Sequence, residues 1–541
     1  MDDEGERFEP CAAPTAGSTS SYKIINRRSI SLALAVAVLT AAAPARAADV
    51  TVVEPGGATV VRDDPALPAT PDLGATRRDG PRRCGAGAPV PRAVARVAKA
   101  KGPTVLGVLA RLERAGALSP ADHDRYDAGY RHARVVRDRL SGLRKRELAA
   151  VIASVQRLAA RRLLTAARVP VVFMQLQRNV EYWPTRQPPT APQPAVRPCA
   201  GKAGLGGARV MFGEDPVVFQ WYPGQGLQLQ ELATFGRANA LANACRPEAG
   251  PQSIPCDQAK LRAALDAIRS LAVTRSGFTA WEYYFSFGGG RPPWISGLAQ
   301  GTAMQALTRG SQILGDPSYL QLAGRALGAF THRPPVGVRV PAAAGPHFLL
   351  YSFDSHLRVF NAFFGALNGI YDYAQAADDA RAKAVFADGE REARREVRLS
   401  DTGAWSRYSL RGAESDLGYH KLVRDFLRGL CDRTGQGVYC ATADRFTADL
   451  HQRVRLGWQG ASPLRMRRVA AVRLQLSKVS CVTLTVHKGS KLVATVVRVF
   501  PRGHWSFAWR PQHSGVYTLA LDAKDLSGHH ARVSRAVSVR R

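Results

Sequence analysis

Acidic residues are scarce in this chain. Against 75 Lys and Arg it carries 43 Asp and Glu over 541 residues, a formal net charge of +32. Such an imbalance favours polyanionic partners: nucleic acid, acidic polysaccharide or an anionic envelope. The same numbers also read as a composition bias, because Arg and Ala are abundant along the whole length. No RNP, zinc-finger or recognition-helix signature accompanies the charge, which sets nucleic acid aside as a partner. No CxxC pair and no His-rich cluster occurs, which argues against a metal. The Gly288-Gly289-Gly290 run lacks the GK[ST] that a phosphate cradle needs. The N-terminal apolar run, Ile30 to Ala43, is too short for a comfortable membrane span.

What is there begins with that run. Arg27-Arg28 precede it and Ala45-Arg46-Ala47 follows as a small-x-small site, so residues 1–47 read as a secretory signal peptide. The mature chain is then expected to be secreted or cell-envelope associated, with no stable membrane span after cleavage. Cysteine spacing agrees with an oxidising compartment. Cys245 with Cys256, and Cys431 with Cys440, bracket short turn-like inserts and are expected as local disulfides. Cys84 pairs with Cys199 by elimination, and Cys481 is expected as a buried single thiol in a strand.

Residues 48–90, rich in Pro, Gly and charge, read as a flexible linker. A helical region with a proline-rich loop, PTRQPPTAPQPAVRP, is expected over 91–209, opened by the cap pair Ser119-Pro120. Over 210–455 the apolar residues recur at helical spacing. Examples are Ala299, Ala303, Ala306, Leu307 and Leu314, then Phe360, Phe363, Phe364, Leu367 and Ile370. No strands alternate regularly with these helices, which excludes a Rossmann sheet. Serial helical hairpins of this kind point to a mainly α protein with an α/α toroid-like domain. From 463 to 541 the period drops to two, as in Val482-Leu484-Val486 and Tyr517-Leu519-Leu521. A small C-terminal all-β, Ig-like sandwich is therefore expected.

Five stretches carry a resemblance. They are FQWYPGQGLQLQELATFGRANAL from Phe219, PWISGLAQGTAMQALTRG from Pro293, LLYSFDSHLRVFNAFFGALNGIYDYA from Leu349, DTGAWSRYSLRG from Asp401 and DLGYHKLVRDFL from Asp416. In order and rough spacing they resemble the C-terminal helical domain of D-glucuronyl C5-epimerases. The resemblance places Tyr351 on the catalytic tyrosine of the family's EEYP, Tyr408 and Arg411 on the tyrosine and arginine of YDLRH, and Tyr419 on that of WDYH. It departs at Leu350, where the family has a glutamate, and at Leu349, Ser352, Ser409, Gly412 and Val423. Asp354 is the carboxylate close by in sequence that could substitute.

The chemistry suits these residue types. A uronate C5 hydrogen is a weak acid α to a carboxylate. Removing it takes a base, and the developing enediolate takes charge neutralisation. A tyrosine beside a cation supplies the first, and an arginine forks onto a carboxylate bidentately. No cofactor is needed. Taken singly, Tyr419 reads as a core tyrosine opening an apolar stripe, Tyr408 as a loop aromatic and Arg411 as one arginine among many. The joint pattern points to a catalytic set of Tyr351, Tyr408, Arg411 and Tyr419. Trp221, Trp294, Gln300, Asn361 and His420 are the candidate substrate contacts. The expected function is C5-epimerisation of a uronic acid, glucuronate to iduronate, in an acidic heparosan-like polysaccharide. A uronate lyase and a non-catalytic glycan- or envelope-binding protein are the alternatives.

Overall fold

The computed structural model describes residues 48–68, 102–189, 208–246 and 254–541. The expected signal peptide, the Cys84–Cys199 pairing and most of the proline-rich loop lie outside the described residues. The chain opens with strands rather than with a linker. β1 (Ala48–Val53) and β2 (Thr59–Asp64) form a hairpin around Pro55-Gly56-Gly57, where Gly57 takes a φ of 86°. The β-branched run VTVV gives β1 its strand form and buries Val50, Val52 and Val53, which corrects the expected linker over these residues. β3 (Arg209–Phe212) joins β1 in parallel, and β4 (Phe219–Tyr222) and β5 (Gly226–Leu229) complete a sheet of order β2-β1-β3-β4-β5.

Four helices follow β2 in the chain: α1 (Val105–Arg114), α2 (Pro120–Arg139), α3 (Gly142–Ala160) and α4 (Val169–Tyr182). As expected, Ser119 caps α2, accepting from the Asp122 N–H. α3 and α4 grip the end of the sheet. The buried Glu147 carboxylate accepts from Gly224 N at 2.8 Å and Gly226 N at 2.8 Å, and Asn179 brackets Leu227 through both its N–H and its carbonyl. One apolar cluster runs from Val53 to Phe446, so the helices before 209 and those after it share a core.

The second helical series is α5 (Glu231–Ala244), α6 (Gln258–Ser270), α7 (Gly297–Leu314), α8 (Pro317–Ala326), α9 (Phe360–Ala376), α10 (Ala380–Ser400), α11 (Leu417–Thr434) and α12 (Gly437–His451). α5, α7, α9 and α11 touch in succession, and α6, α8, α10 and α12 each back the helix before them. The α7–α9 crossing is close because it uses small residues. A Cβ on Gly369 would sit 1.9 Å from the Gly301 carbonyl oxygen, so only glycine fits there. Two hairpins interrupt the series: β6 (Val273–Arg275) with β7 (Phe278–Ala280), and β8 (Arg339–Pro341) with β9 (Pro346–Phe348). Among the described residues no helix is long and apolar enough to cross a membrane, and no group of metal-ligating side chains gathers.

The last strands are β10 (Leu456–Ala461), β11 (Ala470–Leu476), β12 (Ser480–Lys488), β13 (Lys491–Phe500), β14 (Gly503–Trp509), β15 (Gly515–Asp525) and β16 (His530–Val539). They form two antiparallel sheets, β10-β11-β14 and β13-β12-β15-β16, whose inner residues share one apolar cluster. The module begins at β10, before the expected boundary at 463. Cys245–Cys256 and Cys431–Cys440 are disulfides, as the spacing suggests. Cys481 is disulfide-bonded too, which corrects its reading as a single thiol.

Candidate active site

Tyr351 sits on the loop after β9, held against the start of α7 by backbone pairing. Gly297 N donates to Leu350 O at 3.2 Å, and Ser352 N donates to Ile295 O at 3.0 Å. Its ring is caged by Phe353, stacked at 5.2 Å, and by the edges of Trp294 and Phe287, each at 5.6 Å. The side chain is 1% exposed, and its hydroxyl finds no hydrogen-bond partner. Burial pushes this phenol well above its usual range, and the neighbouring tyrosines Tyr408, Tyr419, Tyr222 and Tyr283 push it further. The hydroxyls of five tyrosines therefore converge from four separate parts of the chain.

Tyr408 and Tyr419 meet directly, ring centroids 4.8 Å apart at 70°. Tyr419 is placed by its helix start, where Asp416 caps α11 by accepting from the Tyr419 N–H at 2.9 Å. Tyr408 is placed by the loop 401–416, whose backbone pairs with Phe360 N at 3.2 Å and with Ala413 O at 3.0 Å. Arg411 follows on the tight turn Ser409–Gly412 with a φ of 65°. It is exposed, and no ion pair or hydrogen bond among the described residues engages its guanidinium. The structure brings the three tyrosines together and leaves Arg411 on the turn beside them.

The expected substrate contacts fare differently. Trp294 is fully buried, stacked on Tyr283 at 4.2 Å, with its N–H given to Phe285 O, so it braces the tyrosines and offers no free face to a sugar. Gln300 is buried and spends its amide on both backbone groups of Trp281, Nε2 donating to the carbonyl at 2.9 Å. Trp221 lies in the main core, on the opposite face of β4 from Tyr222. Asn361 is 3% exposed with its carbonyl oxygen unpartnered. His420 is structural. It stacks on Trp405 at 3.7 Å, accepts from Ser406 N through Nδ1 and donates to Phe446 O through Nε2. Burial lowers its pKa to about 4, so it is neutral.

Leu350 packs among Tyr283, Trp294 and Tyr351. Asp354 does not replace the missing glutamate, because its carboxylate caps its own turn at His356 N and Leu357 N. A different carboxyl acts on Tyr283. Glu231, the first residue of α5, is wholly buried with both oxygens unpartnered. Burial, and then the charge of Glu282, push it well above the carboxylate range. Glu282 itself pairs with Arg168 at 2.7 Å and with Arg275 at 2.5 Å. Glu231 acts on Tyr283, whose hydroxyl faces the Leu232 N–H outside hydrogen-bonding geometry. Tyr222, Tyr283 and Glu231 were not singled out by sequence reasoning. Tyr222 was one residue from a chosen one, and Tyr283 stood in the aromatic run WEYYFSF.

A family comparison falls on the same part of the chain. Residues 275–448 match the D-glucuronyl C5-epimerase C-terminus. The epimerase-type segment contains Tyr283, Tyr351, Tyr408, Arg411 and Tyr419, whereas Tyr222 and Glu231 lie before it. It covers about a third of the chain. No curated protein matches the chain. Solved structures that match part of the chain include a sugar epimerase from a ruminal bacterium (12% identity, 42% of this chain, 62% of that one, TM-score 0.30). A GH76 α-mannanase from Bacteroides thetaiotaomicron (10%, 43%, 64%, TM-score 0.32) and a cellobiose 2-epimerase from Bacillus thermoamylovorans (12%, 42%, 61%, TM-score 0.28) are others. The chain thus spans somewhat under two thirds of the length of each of these.

Proposed function

We propose that this chain is an exported carbohydrate epimerase that inverts C5 of a uronic acid, glucuronate to iduronate, within an acidic glycan. The observation that carries this reading is the convergence of four tyrosines on the buried, unpartnered hydroxyl of Tyr351. In this reading Tyr408, the half-exposed tyrosine nearest in sequence to Arg411, takes the C5 proton as a phenolate. Arg411 forks onto the substrate carboxylate and stabilises the enediolate. Tyr351, kept a neutral phenol by burial, returns a proton to the opposite face. Tyr419, packed edge-on against Tyr408, orients it. No metal or organic cofactor takes part. The layering of α5 to α12 supports an α/α toroid, and the shared cluster of the terminal sheets supports an Ig-like sandwich. The Cys245–Cys256 and Cys431–Cys440 disulfides support an oxidising, extracellular setting.

The test is incubation in deuterated water with a glucuronate polysaccharide, reading deuterium at C5. Exchange lost in Arg411→Ala is the expected result, with a saturated iduronate product; an unsaturated uronate would make the protein a lyase. A second reading, a non-catalytic glycan binder, is favoured by Leu350 in place of the family glutamate. Binding without exchange on every acidic glycan tried would move the assignment there.

A further inference from the structure

The terminal module is more one-sided in charge than the rest of the chain. Between 463 and 541 there are fifteen Lys and Arg against two Asp and no Glu. Both aspartates are spent inside the module: Asp525 is buried against Lys478 at 3.1 Å, and Asp522 pairs with Arg532 at 2.7 Å. The remaining cations have no carboxylate of their own module to neutralise them.

The chain passes from β13 to β14 at Pro501-Arg502, crossing from one sheet to the other. Both strands are edges, and the seam between them opens as a groove of about 960 Å³. Arg473, Arg498, His504 and Trp505 line it. Pairing with Val482 puts Arg498 on the same face of β13 as Phe500, so a guanidinium stands where the apolar cluster meets water. Among the described residues neither Arg473 nor Arg498 has an ion pair or hydrogen bond through its guanidinium. Trp505 is 38% exposed and stacks on Phe500 at 5.5 Å, carrying the aromatic packing of the interior out to the groove.

We infer that this groove is a second glycan site, which binds an acidic oligosaccharide by stacking a sugar ring on Trp505 and pairing its anionic groups with Arg473 and Arg498. The inference does not rest on the C5 chemistry. An exposed indole offers the flat apolar face that a pyranose ring covers, and two unpaired guanidiniums supply bidentate recognition of carboxylate or sulfate. Only one exposed aromatic lines the groove, whereas single-stranded nucleic acid is held by several stacking rings. The volume suits a short oligosaccharide rather than a single sugar.

The experiment is calorimetric titration of the full chain with a defined oligosaccharide of alternating glucuronate and N-acetylhexosamine, at low and at physiological salt. A neutral cello-oligosaccharide and a thymidine oligonucleotide serve as comparisons. Binding is expected to weaken at least tenfold in Arg473→Ala/Arg498→Ala, with a shallower salt dependence. Trp505→Ala is expected to weaken it severalfold at either salt. All three residues are solvent-facing, and an unchanged thermal midpoint verifies the fold. Wild-type affinity in both variants, or tighter binding of the oligonucleotide than of the glycan, overturns the inference. The titration needs no turnover, so its result stands whether or not C5 exchanges.

Discussion

Deleting the Tyr351 hydroxyl separates a reacting group from a structural one. Tyr351 is 1% exposed, and its hydroxyl is buried without a partner. An unsatisfied buried polar group costs about 1–3 kcal/mol, whereas a hydrogen-bonded one contributes about 1 kcal/mol. Tyr351→Phe removes that cost and keeps the ring that packs on Phe353 and Trp294. The variant should therefore be more stable than wild type by about 1 kcal/mol, a rise of roughly 1–2 °C in thermal midpoint for a body of this size. Tyr439 is the control. It is equally buried, and its hydroxyl donates to Glu390 Oε1 at 3.0 Å. Tyr439→Phe should lose about 1–2 kcal/mol, the opposite sign for the same deleted atom. Guanidinium unfolding followed by near-UV circular dichroism gives both numbers, and C5 deuterium exchange gives the activity. The expected outcome for Tyr351→Phe is a stabilised fold without exchange, which is the pattern of a group kept for chemistry. A loss of more than 1 kcal/mol in Tyr351→Phe would refute the reasoning, because the hydroxyl would then be holding the structure.

Two further outcomes follow from buried titratable groups. The folded pKa of Glu231 is raised, so its contribution is fully present below the unfolded value near 4.5 and is lost as pH rises toward the folded value. Glu231→Gln should gain stability over wild type between pH 4 and pH 8, by up to about 1.4 kcal/mol per pH unit while the folded carboxyl stays protonated. A difference between the two proteins that is the same at both pH values would show Glu231 to be ionised. His420 has the opposite sign. Its folded pKa is lowered to about 4 from 6.5, so its contribution is present above pH 6.5 and is lost as pH falls through 4. That amounts to about 3 kcal/mol from one group. Unfolding midpoints between pH 7 and pH 4 should drop accordingly, and His420→Gln should flatten the profile in that window.

The module that carries the groove also reaches the candidate site. Arg502 donates from its backbone N–H to Glu414 at 3.1 Å and from its guanidinium to Thr402 O at 2.5 Å, both on the loop that presents Tyr408. Lys478, 1% exposed, lies 5.0 Å from the Trp405 ring and donates to the last carbonyls of α12. Trp405, between Lys478 and His420, joins the module to the helices. The terminal sheets are in this way part of what shapes the loop 401–416.

Much of this was legible in the sequence because local periodicity reports local structure. The stripes at Ala299 to Leu314 and Phe360 to Ile370 became α7 and α9, and the period-two runs after 470 became strands. The cap at Ser119 and two of the disulfides were read from spacing alone. The strands at Ala48–Asp64 were missed because β1 pairs with β3 159 residues on, as Val50 with Arg209, and the Pro-Gly turn between β1 and β2 read as linker. Trp221 was the expected sugar contact, and its neighbour Tyr222 was not singled out. Strand alternation sends the two to opposite faces, and only the packing shows which face meets the tyrosines.

What the sequence by itself determined is therefore the set of helices, the all-β tail and, by resemblance, the tyrosines of an epimerase segment. These rest on periodicity and on residue order, and both survive without coordinates. Tertiary structure alone decided which side chains meet. It gathered Tyr222 and Tyr283 to Tyr351, used Trp294, Gln300 and His420 as supports, and buried Glu231 where it acts on Tyr283. It also left two guanidiniums and an indole open at the seam of the terminal sheets. Burial and pairing are properties of contacts between distant segments, and no single segment carries them.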